Sequence, residues 1–224
     1  MLENKKLNMI LSLLIAIALW AFVIGEVNPE ASRLYRDVPV KLVNEETLEQ
    51  NDMAVYSVSN RTINVTLSGT RSEINKIDIK DIVATIDLED AVMGENHLQI
   101  NVKVPNKVEI ESQSADKSVV IVEERVSKTV PVEVSYEGTF DNEEEPVTVE
   151  QNLSTVMVYG AASTVDQVAF ASARVPENSI TAEIQEIRCD LFAANSGGQR
   201  IFNVELSSSE VLITCELAKL KTVP

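Results

Sequence analysis

The chain has 224 residues, with 19 basic against 35 acidic side chains and a formal net charge of −16 at pH 7. A surface of that sign repels nucleic-acid phosphates, which excludes nucleic-acid binding as a function class. Aromatic residues make up only 4% of the chain, which disfavours a sugar-stacking or peptide-binding platform.

The first predicted element is a helix. Leu7 to Gly25, LNMILSLLIAIALWAFVIG, is 19 residues without a charge. At ~1.5 Å per residue it reaches ~28 Å, about the hydrocarbon thickness of a bilayer. A cleaved signal has a shorter apolar core, ~7–15 residues, ahead of a small-x-small site. Ala16-Ile17-Ala18 fits that site, but mostly apolar residues follow it, among them Leu19, Trp20, Phe22, Val23 and Ile24. Cleavage there would leave a greasy N-terminus, so the stretch reads as a retained span. Lys5 and Lys6 precede it, and no basic residue follows until Arg33. Positive charge stays inside, so residues 1–6 are expected in the cytoplasm, 7–25 in the membrane as a single pass, and the remainder on the outer face. Asn8, Ser12 and Ala16 recur every fourth residue, and Trp20 continues the row. Such a small-and-polar stripe suits close contact with a partner's helix. A 19-residue apolar helix also contains such spacing by chance, and both readings stand.

Beyond the span the pattern becomes extended. VPVKL at 38–42, TINVTLSG at 62–69, IVATIDL at 82–88, HLQINVKV at 97–104 and SVVIVEERV at 118–126 alternate apolar and polar residues. So do TVPVEVSY, STVMVYG, QRIFNVEL and EVLITCEL in the second half. Val- and Ile-rich alternation between polar clusters predicts strands with one buried face, hence an all-β fold after the helix. The run Asp141-Asn142-Glu143-Glu144-Glu145 reads as a solvated loop tip, because it lacks the oxygen spacing and glycine of a calcium loop.

The halves also match each other. VTLSGTRSEINKI at 65–77 aligns with VMVYGAASTVDQV at 156–168, so Gly69 falls on Gly160. Val38-Pro39-Val40 aligns with Val130-Pro131-Val132, and KTVP at 128–131 recurs at 221–224. Each copy is a strand, a glycine and a short helical turn, with Thr70 and Glu73 at capping-box spacing and a weaker version at Ser163 and Asp166. A period near ninety is too long for a solenoid repeat and predicts duplicated domains: 33–125, 126–220, and a possible start of a third at 221–224. Between the copies, Glu124 to Thr129 contains no glycine or proline and predicts a stiff junction.

Catalytic equipment is absent from the sequence. The single histidine, His97, sits on a strand pattern near a turn, and there is no HExxH, Gly-x-Ser-x-Gly, P-loop or CxxC. No enzyme activity, cofactor, metal or small-molecule substrate is expected. Cys189 and Cys215 each fall on the apolar side of an alternating segment. An even count in an exterior domain allows a disulfide, two buried thiols being the alternative.

The span, with Ser12, Leu13, Leu14, Ala16 or Ala18, Leu19 and Trp20, followed by repeats of Val-Pro-Val, a strand ending in glycine and a short turn, resembles the YbbR-domain protein family. The resemblance implies tandem, twisted, L25-like β domains behind one transmembrane helix. It further implies regulation of the membrane-bound diadenylate cyclase that makes cyclic di-AMP in Gram-positive bacteria, the family member not being the cyclase itself. Relatives often carry three or four repeats, against two full ones here. With almost nothing on the cytoplasmic side, influence on the cyclase would pass through the span, whose other contact is membrane lipid. The alternative is a cell-envelope structural or adhesive β-domain protein without a signalling partner.

Overall fold

The computed structural model describes residues 5–26, 29–105, 107–138, 144–176, 179–180 and 183–219. In chain order these form α1 (Lys5–Glu26), β1 (Glu30–Val43), α2 (Glu45–Gln50), β2 (Met53–Val58), β3 (Thr62–Thr70), α3 (Arg71–Ile74), β4 (Val83–Asp87), β5 (Gly94–Lys103), β6 (Val108–Gln113) and β7 (Lys117–Glu137). There follow β8 (Glu144–Gln151), β9 (Thr155–Ala161), α4 (Ala162–Asp166), β10 (Phe170–Pro176), β11 (Gln185–Ala194), β12 (Val204–Leu206) and β13 (Glu210–Lys219). The fold is mostly β, and most of its strands alternate buried and exposed positions as expected for sheets with one packed face.

Two compact units form, each from non-contiguous segments: Met1–Leu42, Asn60–Ile86 and Gln99–Ser118 in one, Val43–Ser59, Asp87–Leu98 and Val119–Pro224 in the other. In the first, strands lie in the order β6-β3-β1-β4-β5. Val38, Ile63, Val65, Leu67, Ile86 and Ile100 make its core, each at most 3% exposed. A bulge in β1 between Tyr35 and Val38 is stabilised by Asp37, whose N–H donates to Asn64 Oδ1 at 3.1 Å.

The second unit is organised by β7. This one strand pairs antiparallel with β2 over Val120–Glu124, antiparallel with β9 over Arg125–Pro131, and parallel with β10 over Val132–Glu137. It runs unbroken through 124–129, where the sequence offers nothing to stop a strand. Ladders β10-β11-β13-β8 and β9-β12 complete the unit, around a core that includes Val130, Val158, Val165, Ile213 and Cys215.

The sequence match extends to register. β2 pairs with β7 as Met53↔Glu124, Val55↔Val122 and Ser57↔Ile121, skipping Tyr56. β8 pairs with β13 as Pro146↔Leu217, Thr148↔Cys215 and Glu150↔Thr214, skipping Val149. Every partner and the bulge itself recur 93 residues on. Beside them, Val119 N–H donates to Ser59 Oγ and Leu212 N–H to Asn152 Oδ1, both at 2.9 Å. Gly69 and Gly160 play one role, since a Cβ on either would lie 3.1–3.2 Å from a carbonyl oxygen and a valine methyl: Lys107 O and Val108 in one case, Asn203 O and Val204 in the other.

Local chemistry departs from expectation at the helical turns. Thr70 makes no side-chain cap to α3, and Glu73 turns instead to Lys76 Nζ at 3.1 Å. Ser163 lies inside α4, behind an Ala161 cap. The capping box sits at the following 3-10 turn: Asp78 N–H donates to Asp81 Oδ2 at 2.8 Å, while Asp78 Oδ1 accepts from Lys80 N–H at 3.1 Å. The acidic run is not wholly a loop tip, because Glu144 and Glu145 already belong to β8 opposite Lys219 and Ala218; residues 141–143 lie outside the described ones.

Candidate functional site

Helix α1 carries the stripe singled out in the sequence. Asn8 is half-buried, and Ser12, Ala16 and Trp20 are exposed. The Ser12 hydroxyl donates to Met9 O at 3.0 Å, a bond within the helix that leaves the oxygen's lone pairs available to a neighbour. What distinguishes α1 is its exposure on all sides. Eleven large apolar side chains from Met9 to Val23 are each at least 52% exposed. At about 1.5–3 kcal/mol per fully buried side chain, covering them is worth on the order of 15–30 kcal/mol, as much as the net stability of a whole domain or more. Among the described residues, no helix is long and apolar enough to cross a membrane. The helical backbone spans 22 residues, but side chains are described only over 8–23, about 24 Å at the helical rise; Leu7, Ile24 and Gly25 fall outside.

A second constellation, missed in the sequence, clamps the predicted junction. Arg125 donates to Glu205 Oε2 at 2.8 Å, lies 3.9 Å from Glu49, and stacks 5.1 Å from the Tyr159 ring centre. Its backbone N–H donates to Asp52 O at 2.7 Å. Two residues earlier, Glu123 accepts the Ser163 N–H at 2.8 Å and its hydroxyl at 2.9 Å. One stretch of β7 is thereby tied to α2, β9, α4 and β12. Nothing local marks Arg125 in the sequence, because its partners lie up to 80 residues away.

Both cysteines are free and buried. They sit on neighbouring strands but four residues apart in register, Cys189 opposite Val211 and Cys215 opposite Gln185. Burial pushes both thiols upward, and for Cys189 the Cys215 and Asp190 charges add to it, so neither is a ready nucleophile. His97 is a surface residue paired with Glu95 at 3.1 Å. Among the described residues, no group of three or more His, Cys, Asp and Glu side chains could hold a metal ion.

Comparison with known proteins agrees with this architecture. Residues 38–129 match the family model for YbbR-like proteins. A YbbR-like protein from Streptococcus pneumoniae TIGR4 superposes with a TM-score of 0.63 at 14% identity, covering 86% of this chain and 97% of its own, which shows a shared fold. The YbbR-like domain of the lmo2119 protein from Listeria monocytogenes is 26% identical over 43% of this chain and 96% of its own, with a TM-score of 0.37. No curated protein matches the chain. Residues 38–129 thus carry a YbbR-like domain, and the β fold as a whole is one shared with a YbbR-like protein.

Proposed function

We propose that this chain is a membrane-anchored regulatory subunit. In this reading α1 lies in the bilayer with its N-terminus in the cytoplasm, two YbbR-like repeats, 33–125 and 126–220, lie on the outer face, and the partner is a membrane-bound diadenylate cyclase whose output the chain modulates. The exposed apolar circumference of α1 carries the reading. A helix that leaves its apolar surface open on every side needs an apolar environment, and lipid together with a partner's helices supplies one. The recurrence of pairings 93 residues apart supports two repeats rather than one. The chain performs no chemistry of its own and needs no cofactor. The partner's identity rests on the family resemblance and is therefore the part to test.

Co-purification from detergent with the cyclase, with and without residues 1–26, is the experiment. Retention by the full chain and loss on truncation support the reading. Equal binding and equal regulation by the truncated chain would overturn the role of the helix, and no association in either form would favour an envelope protein without a signalling partner.

A further inference from the structure

The two copies differ where β5 joins β6 and β11 joins β12. The first connection is residues 104–107, the second residues 195–203. Both end alike, with Lys107 and Asn203 at φ 79 and 60 and the next valine laid over Gly69 or Gly160. The fold thus closes without the five additional residues, and their geometry calls for another explanation.

Those residues are held tightly. Asn195 Oδ1 accepts the N–H groups of Gly197 at 2.9 Å and Gln199 at 3.0 Å, and Gly198, at φ +75, donates to Asn195 O at 2.9 Å. The turn leaves Arg200 with its guanidinium 5.4 Å from the ring centres of both Phe192 and Phe202, while Arg174 covers Phe192 at 4.8 Å. Two of the chain's five phenylalanines therefore meet here, locally reversing the aromatic poverty of the whole. Arg174 is paired with Glu137 at 3.3 Å; among the described residues Arg200 has no ion pair. Arg200 also lines a 270 Å³ cleft with Leu191, Ile201, Val204, Leu206 and Ser209. Glu205 lines it too, but its carboxylate is taken by Arg125.

We propose that this cleft docks an acidic peptide segment of a protein partner, one apolar side chain filling the cleft and a neighbouring Asp or Glu carboxylate pairing with Arg200. The volume falls below the range of drug-sized pockets and suits one side chain. Aromatic stacking holds the planar guanidinium in place and lowers the ordering cost of a bidentate carboxylate contact. Phe202, 67% exposed, offers the further apolar contact that a peptide needs. The site lies on the β11–β12 connection and is independent of helix α1 and its partner.

The test is fluorescence anisotropy of the full chain in detergent with labelled nine-residue peptides having a central leucine flanked by Glu or by Lys. Saturable binding of the acidic peptide is expected, with at least tenfold weakening for the lysine version, for alanine in place of leucine, and for Arg200→Gln or Phe202→Ala. Arg200 and Phe202 are exposed, so both variants should fold, and unchanged circular dichroism melts check this. Equal affinity for both peptides, indifference to Arg200→Gln, or no saturable binding overturns the proposal. Arg200-dependent binding of poly(glycerol phosphate) without peptide binding overturns it in favour of an anionic polymer.

Discussion

Tyr35→Phe tests the tether that holds the end of α3 to the sheet. Tyr35 is buried in β1, its hydroxyl shared between Ile74 O at 3.1 Å and Ile77 O at 3.3 Å, so it ties the end of α3 to the sheet. The matching carbonyl of the second repeat, Val168 O, takes its hydrogen bond from Lys128 Nζ at 2.7 Å, although Lys128, opposite Val158, answers in register to Arg33 opposite Leu67 rather than to Tyr35. A phenol in one copy and an ammonium in the other satisfy the same carbonyl. Phenylalanine keeps the ring packing and removes only the donor, leaving a carbonyl short of a partner in a largely dry place; the cost is about 1–2 kcal/mol. Lys128 is exposed, water replaces it, and Lys128→Met should cost less than about 1 kcal/mol. The only tryptophan, Trp20, lies on α1, so its fluorescence does not report on the sheets. Hydrogen exchange does, through the Lys76 and Ile77 amides that bond to Glu73 O and Ile74 O. Exchange there should accelerate about 5- to 30-fold in Tyr35→Phe. Unchanged protection in this segment would refute the tether.

Thiol titration should find no reactive cysteine in the native protein and two after denaturation without reductant; none after denaturation would mean a disulfide. Cys215→Val should be tolerated to within about 1.5 kcal/mol, because Val122 occupies the corresponding place opposite Val55; a larger loss of stability contradicts that equivalence. Gly69→Ala and Gly160→Ala should each destabilise by about 1–3 kcal/mol, as overpacking does, and a neutral result in both would mean that the loops above them yield. Asp87 is held below its ordinary value of 3.8 by the Glu89 N–H and then the Asn44 amide. Its stabilisation is present above the unfolded pKa and lost as pH falls through the lowered folded one. Urea unfolding of Asp87→Asn and the natural protein should therefore differ at pH 7 and converge at the acid end; a pH-independent difference contradicts this.

The legible parts of the fold were those governed by period two. β3, β5, β7, β9 and β13 follow from alternation because one face packs and the other meets water. β10 carries no such signal, since Ala171, Ser172 and Ala173 are buried in succession between β7 and β11. With both faces covered by small residues there is no alternation to read. β2 is half-buried along its whole length and hides for the opposite reason. QRIFNVEL alternates, yet only Val204–Leu206 forms a strand, because the Asn195 turn and left-handed Asn203 bend the preceding residues. The apolar character of α1 was readable residue by residue; the Arg125 clamp and the Arg200 stack were not, since long-range pairing assembles both.

The helix is the most direct test of the regulatory reading. Residues 7–25 should be replaced by an unrelated apolar helix of equal length, leaving the β units unchanged, and the chain co-expressed with the membrane diadenylate cyclase. Retention of the cyclase in detergent and cyclic di-AMP output are then measured together. Loss of both retention and modulation, with membrane fractionation preserved, is the expected result. Undiminished retention and modulation with the foreign helix would contradict it and transfer the function to the β domains.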